Sequence, residues 1–292
     1  MKKQYTGPWR LAHRGISQAA PENTLEAFRA AYHAGIEGLE IDIRMTRDGV
    51  IVIHHDPTLE RLTCGSDTPC IRAVEECTWK ELSELQLPYA NHLMDNWKPE
   101  GVPEELAVDV MRQLGCDEAH PYEQERVREP RMAKLMRLSD LFEWLSQLTR
   151  RVIVEIEYKA SGMMPELCKQ LSAFAGRSDC IIFSGEPALI DEIQDYARRN
   201  PLPSGVKLGA NIRRLTEAWK EKIPTMKLFE VGLNIEALER EDIAWLRAKN
   251  ILVFSNLGDT PEGWQKICTR NLTGFKTNYA APFTEWWQAW KE

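Results

Sequence analysis

Gly38-Leu39-Glu40-Ile41-Asp42-Ile43-Arg44 alternates apolar and charged side chains. Read as a β-strand, it sets Leu39, Ile41 and Ile43 on one face and places Glu40 and Asp42 side by side on the other. A half-exposed antiparallel strand carries the same alternation with its acids in water. A second stretch, Arg151-Val152-Ile153-Val154-Glu155-Ile156-Glu157-Tyr158-Lys159, weighs against that simpler reading because it repeats the design. Val154, Ile156 and Tyr158 share one face, and Glu155, Glu157 and Lys159 share the other. Parallel strands covered by helices are normally apolar on both faces, so acids that twice end an apolar strand predict the catalytic end of an α/β sheet.

The flanking sequence has the periodicity such a sheet needs. Thr24 precedes Leu25, Phe28, Ala31 and Tyr32 at helical spacing, with Pro21 ahead and Gly35 behind, which predicts a helix over Asn23 to Gly35. Further helices are expected at 140–148, 165–175, 187–199, 215–222, 240–249 and 263–269. Strands are expected between them, at 152–157, 180–184, 206–210, 229–234, 251–255 and 274–277. Strict alternation of this kind is the sequence form of a parallel sheet wound with helices.

Three carboxylates meeting at one end of a sheet repel one another and are driven to take up protons unless a cation neutralises them. An all-carboxylate set suits a hard divalent cation, Mg²⁺ or Ca²⁺, better than zinc, which recruits His or Cys. His13 follows Trp9-Arg10-Leu11-Ala12 and His55 follows Val50-Ile51-Val52-Ile53, so each histidine sits at or just past the end of an expected strand. Imidazole titrates near neutrality, and two imidazoles on opposite sides of a phosphorus can take a proton from the nucleophile and give one to the leaving oxygen. Arg14 offers a planar fork of donors to phosphate oxygens and Lys159 a point charge from the far side. In a plainer reading, Arg14 bridges to one of the acids and Lys159 lies on the surface.

The 292 residues suffice for one large barrel or two ordinary domains, and 43% hydrophobic with 28% charged residues is an ordinary globular composition. A net charge of −7 argues against a nucleic-acid partner and leaves attraction of an anionic substrate to local groups. No apolar run approaches the ~20 residues a membrane span requires, and no apolar core follows Met1-Lys2-Lys3, so neither membrane insertion nor a signal peptide is expected. The expected location is the cytoplasm. Seven cysteines suggest neither a disulfide framework nor a paired zinc motif. Only Cys64 and Cys70 lie close enough in sequence to close a small loop, and free thiols are expected in a reducing compartment.

The combination His13-Arg14-Gly15, Pro21-Glu22-Asn23-Thr24, Glu40-Ile41-Asp42, Thr46-Arg47-Asp48-Gly49, His55-Asp56, Arg61 and Glu157-Tyr158-Lys159 resembles the glycerophosphodiester phosphodiesterases. The resemblance implies a (β/α)₈ TIM barrel, a single domain over 1–292, with the site at the carboxyl ends of its strands. It also implies hydrolysis of a small glycerophosphodiester to glycerol 3-phosphate and an alcohol. By the same resemblance His13 and His55 form the acid/base pair, with His54 spare because neighbours on a strand face opposite ways. Glu40, Asp42 and Glu157 hold the divalent cation, and Arg14 and Lys159 contact phosphate.

Residues 60–137 form an expected insertion or cap after the second histidine. Within it a polar, proline-punctuated stretch over 88–137 offers His92, Trp97 and His120 as contacts to the substrate's alcohol. Late in the chain Phe254-Ser255-Asn256 and Thr277-Asn278-Tyr279 depart from the family's Trp-Thr-x-Asn and Thr-Asp-x-Pro, which bears on head-group preference. A lysophospholipase D-like or sphingomyelinase D-like activity and a non-catalytic phosphodiester-binding protein are the rival expectations. The aromatic tail Phe283 to Trp290 is expected to be a helix packed across the bottom of the barrel. Sequence alone leaves the oligomeric state open.

Overall fold

The structure is a computed structural model that describes residues 6–17, 20–63, 70–88, 132–174 and 178–291. Strand β1 (Trp9–His13), helix α1 (Leu25–His33) and strand β2 (Gly38–Met45) form the first parallel unit. Beyond β2 the chain leaves that pattern. A tight turn over Thr46 to Gly49 leads into β3 (Ile51–Ile53), which runs back antiparallel on β2. Short helices α2 (Glu60–Thr63) and α3 (Trp79–Ser83) follow, then the antiparallel pair β4 (Leu87–Pro88) and β5 (Met132–Ala133). Strand β6 (Met136–Arg137) lies antiparallel on β3 and leads into α4 (Leu138–Ser146).

From there strand and helix alternate without exception: β7 (Ile153–Tyr158), α5 (Met164–Phe174), β8 (Cys180–Phe183), α6 (Pro187–Arg199), β9 (Val206–Ile212), α7 (Glu217–Lys222), β10 (Glu230–Leu233), α8 (Arg240–Arg247), β11 (Leu252–Ser255), α9 (Pro261–Thr269), β12 (Gly274–Thr277) and α10 (Ala280–Lys291). Parallel pairing runs from β1 through β2, β7, β8, β9, β10 and β11 to β12, which pairs with β1 again. The eight strands therefore close into a (β/α)₈ barrel, as the family resemblance implies.

Alternation along each strand decides what faces the helices and what fills the barrel. Leu39, Ile41 and Ile43 of β2 and Val154, Ile156 and Tyr158 of β7 pack outward in one apolar cluster with Phe28 and Ala31 of α1 and Leu167 and Leu171 of α5. Across the barrel Ala210, Val231, Val253 and Phe275 do the same with Ile190, Ile243, Leu246 and Trp264. What remains points inward. Leu11 and Phe254 fill the interior opposite Gly38 and Gly274, where an added Cβ would lie 2.2 and 2.4 Å from them. A third cluster, with Val52, Leu59, Leu62, Val74, Leu82 and Leu135, packs beneath the β3–β6 excursion at the barrel mouth.

The C-terminal helix sits elsewhere than the sequence suggests. It is the eighth helix of the outer wall, against β1 and α9, with Phe283 4.6 Å from Phe275 and 5.6 Å from Trp264, ring to ring. Phe275 is outward-facing on β12 and needs a cover there, which draws the aromatic stripe to the flank and away from the base. Among the described residues, no helix is long and apolar enough to cross a membrane.

Candidate active site

Register brings the acids together. Asp42 on β2 is paired with Glu157 on β7, and Glu40 with Glu155, so all four side chains point into the barrel. One carboxylate oxygen from each of Glu40, Asp42 and Glu157 lies within 4.8 Å of the others. Burial, then the charges of Asp42 and Glu157, push the Glu40 carboxyl well above its ordinary range. Burial would also raise Asp42, but Arg14, Lys159 and the two histidines outweigh it and hold that carboxyl low. Glu40 Oε1 is buried with no hydrogen-bond partner among the described residues. Three hard oxygen donors, of which Glu40 is both unpartnered at Oε1 and pushed toward its protonated form by burial and its neighbours, fit a divalent cation.

Arg14 and Lys159 both reach the cluster, and both grip acids. Arg14 Nη1 donates to Glu22 Oε1 at 2.9 Å and its Nε lies 3.0 Å from Asp42 Oδ2; Lys159 Nζ lies 3.2 Å from Asp42 Oδ1 and 2.8 Å from Glu157 Oε1. Asn23 Nδ2 donates to Asp42 Oδ2 at 2.9 Å. Backbone geometry makes this approach possible: Arg14 and Asn23 both have φ of 59°, and the Arg14 N–H donates to the Glu40 backbone oxygen at 3.0 Å. Gly15, at φ 83°, has no room for a side chain, since a Cβ would lie 2.7 Å from Ala27 of α1.

The two histidines come from different elements, His13 at the end of β1 and His55 just after β3. Asn278 Nδ2 donates to Asp259 Oδ2 at 2.7 Å; because a carboxylate only accepts, this fixes the amide's orientation. Asn278 Oδ1, 2.8 Å from His13 Nδ1, is then the acceptor, so Nδ1 carries the proton and Nε2 keeps its lone pair, 4.0 Å from Glu40 Oε2. Burial and then the Arg14 charge hold His13 below its ordinary range. His55 Nδ1 lies 2.7 Å from Asp56 Oδ1, and Arg61 Nε donates to Asp56 Oδ2 at 2.7 Å. Arg61 also grips Glu22 with two bonds, of 3.0 and 2.7 Å, so polar contacts run unbroken from His55 to Arg14 and Asp42. Burial opposes ionisation of Asp56, yet its bonds to Arg61 and His55 bring its carboxyl down to about 2. His54 is fully buried with Nε2 2.8 Å from the Thr58 carbonyl, which it serves as a donor.

A layer deeper lie groups to which the sequence assigns no role. Glu155, Glu230 of β10 and Lys276 of β12 are all buried, with Lys276 Nζ 3.0 Å from Glu155 Oε2. Burial and the neighbouring Glu155 charge push Glu230 well above the ordinary carboxyl range, whereas the acids around Lys276 outweigh its burial and keep it charged. The available signal is weak: a lone charged residue in each of two short expected strands, Glu230 beside Val231 and Lys276 beside Phe275. The Asp259 and Glu22–Arg61 contacts come from loops and a short helix, where no periodicity points to them. His92, Trp97 and His120 lie outside the described residues, as does Cys64; Cys70, Cys77, Cys168, Cys180 and Cys268 are unbridged.

Fold and site together define a (β/α)₈-barrel protein whose strand ends gather three carboxylates, with His13 and His55 held on neighbouring elements by Asn278 and Asp56. The chain belongs to the glycerophosphoryl diester phosphodiesterase family, whose model matches residues 13–281. It is 44% identical over 90 residues to the rat protein glycerophosphodiester phosphodiesterase 1, covering 31% of this chain and 25% of that one. It is 38% identical over 117 residues to a probable glycerophosphodiester phosphodiesterase 1 of Mycobacterium tuberculosis, covering 39% and 40%. The chain thus spans a quarter to two-fifths of the length of these relatives. In fold it matches a Silicibacter pomeroyi structure described as a glycerophosphoryl diester phosphodiesterase, with TM-score 0.73 at 18% identity over 99% of this chain and 95% of that one. An Oleispira antarctica phosphodiesterase solved with the product sn-glycerol-3-phosphate matches with TM-score 0.70 at 17% identity, covering 97% of each chain.

Proposed function

We propose that this protein hydrolyses small glycerophosphodiesters to glycerol 3-phosphate and an alcohol with the help of one hard divalent cation, Mg²⁺ or Ca²⁺. The observation that carries the reading is the convergence of Glu40, Asp42 and Glu157 within 4.8 Å, with His13 and His55 approaching from different elements. These three acids would hold the ion, which when bound supplies charge stabilisation to the phosphoryl oxygens. The divalent ion, Arg14 and Lys159 are the positive groups gathered at the three carboxylates, and they are what a monoanionic diester would meet there. Local charge of that sign is what a chain of net charge −7 must build to hold an anion.

His13, kept neutral by burial and oriented by Asn278, takes the nucleophile's proton on Nε2, and His55, backed by Asp56, serves the leaving oxygen. Arg14 and Lys159 turn from the acids toward phosphate when substrate binds. The family relatives named for this activity, and the fold match solved with sn-glycerol-3-phosphate, point the same way. Asn211, Asn234 and Asn256 at the ends of β9, β10 and β11 favour a polar head group over a lysophospholipid tail. The test is release of glycerol 3-phosphate from glycerophosphocholine, glycerophosphoethanolamine and glycerophosphoinositol. Product that vanishes with EDTA and in His13→Ala supports the reading, and an inert protein across that panel at saturating Mg²⁺ and Ca²⁺ defeats it.

A further inference from the structure

The layer beneath the mouth has the donor set of a cation site. Glu155 sits two residues before Glu157 on β7 and so points the same way but deeper. Glu155 and Glu230 are 0% exposed; apart from Lys276 and each other, no group hydrogen-bonds Glu155 Oε1 or either oxygen of Glu230 among the described residues. Glu230 is confined, because a Cβ on Gly209 of the neighbouring strand would lie 2.9 Å from its Oε1. Two buried carboxyls and the Asn211 amide oxygen make a hard, all-oxygen set of the kind that takes Mg²⁺ or Ca²⁺. Left without a cation, any carboxyl ionised there would be a buried charge without compensation.

Lys276 supplies that cation from within the chain. Its Nζ is 3.0 Å from Glu155 Oε2, donates at 3.0 Å to Asn211 Oδ1 and stands 4.0 Å above the centre of the Phe183 ring. We propose that the Lys276 ammonium occupies the place of a second divalent cation, so that the protein binds one such ion, at Glu40, Asp42 and Glu157, and none below it.

Lys276 is held in place in a way Lys159 is not. It lies within β12, a strand paired on both sides, with β1 and β11, and is only 2% exposed, so it has little room to swing aside for an ion. Lys159 follows the last residue of β7 at the mouth with 17% of its side chain exposed. A divalent ion brought among Glu155, Glu230 and Asn211 would meet a fixed positive charge at contact distance, which strongly disfavours it in so dry a place. The inference deepens the proposed function, whose single metal ion it explains.

Mn²⁺ titration followed by calorimetry, with electron paramagnetic resonance of the bound ion, tests it. The native protein is expected to bind one Mn²⁺ with an uncoupled spectrum. Lys276→Met is expected to bind two, with a spectrum broadened by coupling between neighbouring ions. Lys276→Gln, which keeps a donor for Asn211 but no charge, is expected to behave the same way and guards against a misfolded first variant. A native protein that binds two ions overturns the inference, as does either folded variant that still binds one. A native protein that binds none defeats the metal reading of the mouth instead, so the two failures are distinct.

Discussion

The chain of contacts His55–Asp56–Arg61–Glu22–Arg14 makes the state of each side chain depend on the next. Arg61 touches neither acid cluster nor imidazole directly, yet it fixes both Asp56 and Glu22. Arg61→Met is expected to lower kcat about tenfold or more through misplacement of His55, with Arg61→Lys restoring part of it; steady-state kinetics on both variants check this. His13→Ala and His55→Ala should each cost roughly 10²–10⁴ in kcat, the usual worth of a positioned acid or base. Because burial and Arg14 hold His13 below its ordinary value, the acidic limb of the kcat/KM profile should fall on the acid side of 6.5. A limb above that value would assign it to another group. For stability the sign runs through Asp56, whose folded pKa of about 2 lies beneath its ordinary 3.8. The pairing therefore stabilises the fold fully above about pH 4 and is lost as pH falls from there toward 2, a loss that acid-unfolding curves of Asp56→Asn should lack.

Among the elements, the long amphipathic helices and the acid-bearing strands were legible because their periodicities are strong. The helix expected over 23–35 forms as Leu25–His33, with Thr24 as its N-cap accepting from the Ala27 N–H. Thr24→Ala is expected to cost about 1 kcal/mol in denaturant unfolding. The strand expected at 152–157 forms as Ile153–Tyr158, one residue further along. Two features were hidden for physical reasons. The strand before His55 is an antiparallel return on β2, and three apolar residues in a row read the same whichever way they pair. Glu230 and Lys276 lie in four-residue strands too short for alternation to show which face is inward. The aromatic tail gave its helix but not its place, since an apolar stripe specifies burial without naming what it is buried against. Its partner Trp264 is 0% exposed, and Trp264→Ala is expected to cost roughly 3–5 kcal/mol.

Barrel closure is what turns a dispersed set of residues into a site. Glu157 reaches Asp42 only because β7 follows β2 in the wall although the whole β3–β6 excursion separates them in sequence, and Asn278 reaches His13 only because β12 closes on β1. A ligand that binds only the closed barrel must stabilise it, by about 2.7 kcal/mol at a hundred times its dissociation constant. Thermal unfolding of the native protein should therefore shift upward by several degrees with saturating Mg²⁺ or Ca²⁺, and that of Glu157→Gln should shift far less. Phosphorus NMR of glycerophosphoethanolamine with the native protein, recorded before and after a stoichiometric divalent cation is added to EDTA-treated enzyme, addresses the chemistry most directly. Glycerol 3-phosphate should appear only after the addition. Equal turnover without the ion, or none with it, would contradict a site built on Glu40, Asp42 and Glu157.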